Sequence, residues 1–188
     1  MAGVWRKVQL GAAARRRSLG LASAALLIPG LAAAEVVDRG PDHFVLRHSV
    51  TLETATDDIR RAVGDVGAWW DGAHTYSGKA SNMTLALTPG GCFCEAEVDG
   101  ATFEHGRVAS FDPETGVRLD AALGPLNGKA TTADWSIGWT GASGGQEVVM
   151  TYVVRGPGLG AWADGVDTVM TIQFNRLARF IEYGEPAA

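Results

Sequence analysis

Between Asn82 and Arg155 the chain keeps returning to one pattern, an apolar side chain at every second position, and after Trp162 it changes to apolar side chains at every third or fourth. A period of two places alternate residues on opposite faces of a strand, whereas a period near 3.6 makes one stripe on a helix. The chain must therefore build a run of half-buried strands and cover them with one long helix. "NMTLALT" puts Met83, Leu85 and Leu87 on one face, "TPGG" supplies Pro and Gly for a type II turn, and "GCFCEAEV" returns as the partner strand. Strands follow at "TFEHGRVASF", "GVRLDAAL", "TTADWSIGWT" and "QEVVMTYVVR", separated by Asp112-Pro113, Gly124-Pro125 and "GASGG". In "TTADWSIGWT" the residues Trp135, Ile137 and Trp139 share a face.

An earlier segment, "HFVLRHSVTLE", alternates in the same way, with Phe44, Leu46, His48, Val50 and Leu52 facing one side. Behind it Thr56 is a candidate N-cap for a short helix in "DDIRRAVGDVGAWW", weakened by Gly64 and Gly67 and ending before Trp69 and Trp70. After the Gly/Pro segment "GPGLG", Val166, Met170, Phe174 and Leu177 mark the inner stripe of a helix over 162–183. The resulting fold class is α+β: a curved antiparallel sheet of about seven strands wrapped on a long C-terminal helix. A sheet of this length seldom packs solidly against one helix, so a cavity is expected between them.

The N-terminus reads differently. Arg6, Lys7 and the triplet Arg15, Arg16, Arg17 precede the apolar run "SLGLASAALLIPGLAAA", which ends in small residues at Ala32 and Ala34. This is the grammar of a secretory signal peptide over 1–34, cleaved between Ala34 and Glu35, and the paired arginines also resemble a twin-arginine export signal. The run is short and Ala/Gly-rich, unlike a spanning helix. The expected product is a single domain over 35–188, periplasmic or extracellular, with no stable membrane insertion after cleavage. Residues 1–34 hold five of the 16 Lys+Arg and none of the 21 Asp+Glu, so the net charge moves from −5 to −10 without them. An acidic domain without a basic stripe argues against nucleic acid and anionic membrane surfaces as partners.

Together with this order of elements, "AWWDGAHTYSG", "LTPGGCFCE", "HGRV", "ALGPLNG" and "VDTVMTIQFNRLARFIE" resemble the SRPBCC superfamily, the START-like, helix-grip proteins that include polyketide cyclases, pollen allergens and activators of heat-shock ATPase. The resemblance covers roughly residues 43 to 183. It implies a deep, mostly apolar pocket between sheet and C-terminal helix, used in the family for lipids, sterols or polyketides and in some branches for cyclase or dehydratase chemistry. No catalytic motif of a characterised branch is present, so no catalytic residue is carried over.

Candidate site residues follow from the faces. If the carboxylates of "GCFCEAEV" seek water, Cys92 and Cys94 point inward and Glu95 marks the solvent face. On that reading the cavity wall consists of Met83, Leu85, Leu87, Cys92, Cys94, His48, His105, Trp135, Ile137 and Trp139 from the sheet, roofed by Val166, Met170, Phe174 and Leu177. Zinc is disfavoured, because two thiols and histidines at 43, 48, 74 and 105 show no paired ligand spacing. A Cys92 to Cys94 bridge is disfavoured too, since residues two apart in a strand lie about 6.6 Å apart at Cα. Asp57, Asp58, Asp164 and Asp167 read as helix-start charges. "GPGLG" carries no lysine and follows no βαβ unit, so no nucleotide site and no cofactor are expected. The functional expectation is an exported carrier or sensor of one small hydrophobic molecule. A cyclase- or dehydratase-type enzyme using a pocket His, Tyr or Asp is the alternative, and a protein-interaction module is a third.

Overall fold

A computed structural model describes residues 33–96 and 99–186. Within them, eight strands form one antiparallel sheet in the order β1-β2-β8-β7-β6-β5-β4-β3. The strands are β1 (Ala33–Gly40), β2 (His43–Leu52), β3 (Met83–Leu85), β4 (Cys92–Ala96), β5 (Thr102–Asp112), β6 (Gly116–Asp120), β7 (Thr132–Ala142) and β8 (Gly145–Arg155). Two short helices, α1 (Thr56–Gly64) and α2 (Val66–Trp69), cross from β2 to β3, and α3 (Ala163–Tyr183) closes the chain. This is the helix-grip arrangement, with one strand more than the alternation pattern indicates. The addition is β1, which pairs with β2 from Ala33↔Ser49 to Gly40↔His43 with a bulge between Val36 and Asp38. Its sequence, "AAEVVDRG", has no clean alternation, because an edge strand with a bulge need not keep one. Apart from the backbone of Ala33 and Ala34, the expected signal segment lies outside the described residues.

The core is a single cluster. β2 contributes Phe44 and Leu46, β7 contributes Trp135, Ile137 and Trp139, β8 contributes Val148, Met150 and Val154, and α3 lays Met170, Phe174 and Leu177 across them. His48 on β2 is also inward, with its ring 5.7 Å from that of Phe174. The type II turn forms as the sequence predicts: Gly90 takes φ 80° and the Gly91 N–H donates to the Thr88 carbonyl at 2.7 Å. The start of α1 is displaced by one residue from the sequence reading. Ala55 is the N-cap, without a side-chain bond, and Thr56 is already helical. The interruption between α1 and α2 at Asp65 lets Trp69 turn inward, where its indole N–H donates to the Ala62 carbonyl at 2.8 Å. Among the described residues, no helix is long and apolar enough to cross a membrane.

Candidate ligand cavity

Sheet and helix do not meet everywhere. Where the first turns of α3 stand off the sheet, a cavity of about 600 Å³ remains, bounded by the segment after α2, the β6–β7 connection, β5, β8 and α3. That volume suits a small organic molecule. Its walls are mostly apolar: Trp70 from the end of α2, Leu123 and Leu126 from the β6–β7 connection, and Trp162, Val166 and Met170 from the start of α3. Tyr76 is 53% exposed and also lines the cavity, so this side reaches the surface.

The polar groups on this wall are individually anchored. In β5 the register jumps from Phe93↔Gly106 to Cys94↔Glu104, so His105 is the extra residue of a bulge and both His105 and Gly106 turn inward. Its imidazole Nε2 lies 2.9 Å from Oε2 of Glu95, which is fully buried. The same carboxylate accepts the backbone N–H groups of Tyr76 at 3.1 Å and Ser77 at 2.5 Å. Burial alone would push Glu95 up, but the hydrogen bonds from Ser77, Tyr76 and His105 outweigh it and hold the carboxyl below its ordinary value. Burial pushes His105 down, and the Glu95 carboxylate offsets this only in part. At neutral pH the pair is thus a carboxylate and a neutral imidazole. Three rings enclose that imidazole, with centroids at 4.9 Å for Phe103, 5.1 Å for Phe93 and 5.6 Å for Tyr76.

A second imidazole stands nearby. His74 Nδ1 lies 3.2 Å from Asp71 Oδ2, and the buried Gln173 of α3 accepts the Asp71 backbone N–H at 2.9 Å. The Ala73 N–H holds the Asp71 carboxyl low, aided by His74 and Arg176 against the effect of burial. Tyr152 of β8 reaches the cavity from beneath, its hydroxyl donating to the Ala121 carbonyl at 2.8 Å and accepting the Leu123 N–H at 2.9 Å. Burial pushes this phenol far up, so it stays protonated.

Of the wall residues expected from sequence, His105, Val166 and Met170 line the cavity. Met83, Leu85, Trp135, Ile137, Trp139, Phe174 and Leu177 are instead buried in the solid core, and Leu87 packs against it from the β3–β4 turn. His48 is sealed in the same core, 3.3 Å from Asp167 Oδ1 but not aligned to bond it. Asp164 does occupy the first turn of α3, while Asp167 serves this inward contact instead.

The face assigned to β4 is reversed. Phe93 and Glu95 are the buried residues, and Cys92 and Cys94 are half-exposed on the outer side. Residues directly opposite in an antiparallel pair share a face. Because Met83 pairs with Glu95 and Leu85 with Phe93, the buried side of β3 carries the glutamate inward, where the loop N–H groups and His105 satisfy it. The cysteines are also joined in a disulfide, contrary to expectation. Opposite the β5 bulge their Cα atoms lie 5.4 Å apart, inside the range a bridge can span. Cys92, Cys94 and Glu104 bring their ligand atoms within 4.8 Å of one another, yet sulfurs bonded to each other are not thiolate ligands. Sequence reasoning missed Trp70, His74, Tyr76, Leu123, Leu126, Tyr152 and Trp162 as wall residues. A signal for the segment 70–76 was present in the aromatic cluster Trp69, Trp70 and Tyr76.

No protein-family model matches the chain, and no curated protein matches it. Solved structures do. An uncharacterized protein from Rhizobium leguminosarum is 20% identical with a TM-score of 0.51, over 80% of this chain and 97% of that one. The Aha1 dimer from Colwellia psychrerythraea is 14% identical with a TM-score of 0.55, over 74% and 97%. The di-domain ARO/CYC protein StfQ from the steffimycin biosynthetic pathway is 11% identical with a TM-score of 0.51, over 78% of this chain and 52% of that one. These likenesses show the fold alone, the helix-grip arrangement of a curved antiparallel sheet and a long C-terminal helix.

Proposed function

We propose that this chain is an exported, single-domain carrier or sensor that holds one small hydrophobic molecule between its sheet and α3. The observation that carries the reading is the 600 Å³ cavity with its apolar wall of Trp70, Leu123, Leu126, Trp162, Val166 and Met170. Covering ~200 Å² of apolar ligand is worth about 5 kcal/mol before ordering costs, enough for retention at roughly millimolar concentration, which further contacts would tighten. The shared fold of the steffimycin-pathway protein supports a ligand of this general kind. Export rests on the basic and apolar grammar of residues 1–34.

Two tryptophans on the wall make binding visible. Fluorescence from Trp70 and Trp162 is expected to respond to lipid-like or polycyclic aromatic probes, and Met170→Arg, which places a charge on the apolar wall, should abolish the response in a protein that still melts cooperatively. A silent titration across a panel of such probes would refute the carrier reading. The cyclase or dehydratase alternative draws support from the His105–Glu95 pair, and its signature is a ligand released chemically altered by wild type and unaltered by His105→Phe. For export, intact-mass measurement of protein from the cell envelope should give a chain beginning at Glu35; a full-length species there would refute it.

A further inference from the structure

His105 Nε2 is committed to Glu95, while its other ring nitrogen is not committed to anything. Nδ1 makes no hydrogen bond among the described residues, and it is not one of their sealed, unpartnered atoms, although both nitrogens of His48 are. His105 lines the cavity, and with Nε2 taken by Glu95 the ring nitrogen left for whatever fills it is Nδ1. An ionised carboxylate can only accept. The Nε2 facing Glu95 therefore carries the proton, and Nδ1 presents a lone pair. The Phe93, Phe103 and Tyr76 rings packed around the imidazole fix its position.

We propose that the cavity selects its ligand by a hydroxyl group, an apolar body bearing a phenol or similar O–H that donates to Nδ1 of His105. Glu95 is the positioning residue, because it fixes the tautomer that makes His105 an acceptor. The proposal rests on the ligand-binding reading and sharpens it. A ligand that covers Nδ1 takes it out of reach of water, so one that brings a proton to it gains over an equally apolar one that leaves the acceptor unpaired.

The test uses three probes of one shape on the protein spanning residues 35–188: 2-naphthol, 2-methoxynaphthalene, which has the oxygen without the proton, and 2-methylnaphthalene, which has neither. Isothermal titration calorimetry at neutral pH should show 2-naphthol binding about tenfold or more tighter than the other two, the worth of one net hydrogen bond. In His105→Phe the three affinities should converge near that of 2-methylnaphthalene. In Glu95→Gln, where the amide can donate to Nε2 and move the ring proton to Nδ1, the preference should shift from 2-naphthol toward 2-methoxynaphthalene. The wild-type comparison stands even if a variant fails to fold. Equal binding of all three probes to wild type would overturn the hydroxyl selection while leaving the carrier reading intact. Retention of the preference in folded His105→Phe would overturn the role of His105. If neither these three nor any lipid-like probe bound, both would be overturned.

Discussion

Glu95→Ala isolates the most unusual feature of this fold, a fully buried carboxylate reached by three donors from two separate parts of the chain. The substitution removes the acceptor for the Tyr76 and Ser77 backbone N–H groups and for His105 Nε2. At about 1 kcal/mol net for each bond the loss is ~3 kcal/mol. Relief of the buried charge lowers this figure and the vacated side-chain volume raises it, so a net destabilisation of about 2–3 kcal/mol is expected. With a urea m-value of about 2 kcal/mol/M for a domain of this size, the midpoint should fall by about 1–1.5 M. Urea melts followed by tryptophan fluorescence and far-UV circular dichroism measure it. Glu104→Ala is the control: Glu104 pairs with Arg107 on the exposed side, and its loss should cost at most about 0.5 kcal/mol. The sign with pH is also set. Because the folded carboxyl lies below the 4.5 of the unfolded chain, its contribution is present above that value and fades as pH falls through the folded one. The gap between wild type and Glu95→Ala should therefore narrow in acid. A midpoint shift no larger than that of Glu104→Ala would refute the view that Glu95 pins the 76–77 segment to the sheet.

Acid should weaken the fold through its histidines as well. Burial depresses both His48 and His105 below 6.5, so the unfolded chain binds their protons first; stability is intact above about pH 6.5 and declines as pH falls toward the folded values. Urea midpoints between pH 7.5 and 5 should fall, less steeply in His48→Phe, and a flat profile would contradict the assignment. The disulfide predicts that iodoacetamide labels neither Cys92 nor Cys94 in urea until a reductant is added. Because the closed loop is so small, Cys92→Ser/Cys94→Ser should cost only about 1–2 kcal/mol, and labelling of the unreduced, unfolded wild type would show that the bridge is absent.

The broad architecture was legible because it depends on patterns that local sequence carries. Phe44 to Leu52 alternate cleanly, and Val166 to Leu177 keep a helical stripe, so β2 and α3 could be placed and the sheet's companion identified. Individual faces were harder. In "GCFCEAEV" either parity could be buried, and the choice rests on the pairing Leu85↔Phe93, which depends on how many residues the intervening turn consumes. The partners that make a buried Glu95 tolerable lie 18 and 19 residues earlier in sequence and, for His105, at a bulge that no periodicity reveals. A cavity between sheet and helix was expected, but most of its lining escaped for a similar reason. Regular strands and helix fill the centre, and the open space lies where irregular segments such as 70–76 and 123–126 meet the start of α3.

The sheet order has a consequence for how the chain acquires its shape. β2 is bonded on one side to β1 and on the other to β8, with Arg47 meeting Glu147 across 100 residues. An isolated two-stranded hairpin is marginal in water, so β1 and β2 gain little until the far end of the chain arrives. Such non-local pairing slows folding toward milliseconds or seconds and leaves the β2 edge uncovered meanwhile. A chain emerging N-terminus first from a ribosome therefore keeps Phe44, Leu46 and His48 without their central neighbours until residues 145–155 have emerged. The last sheet strand to appear is the one that turns two half-sheets into one.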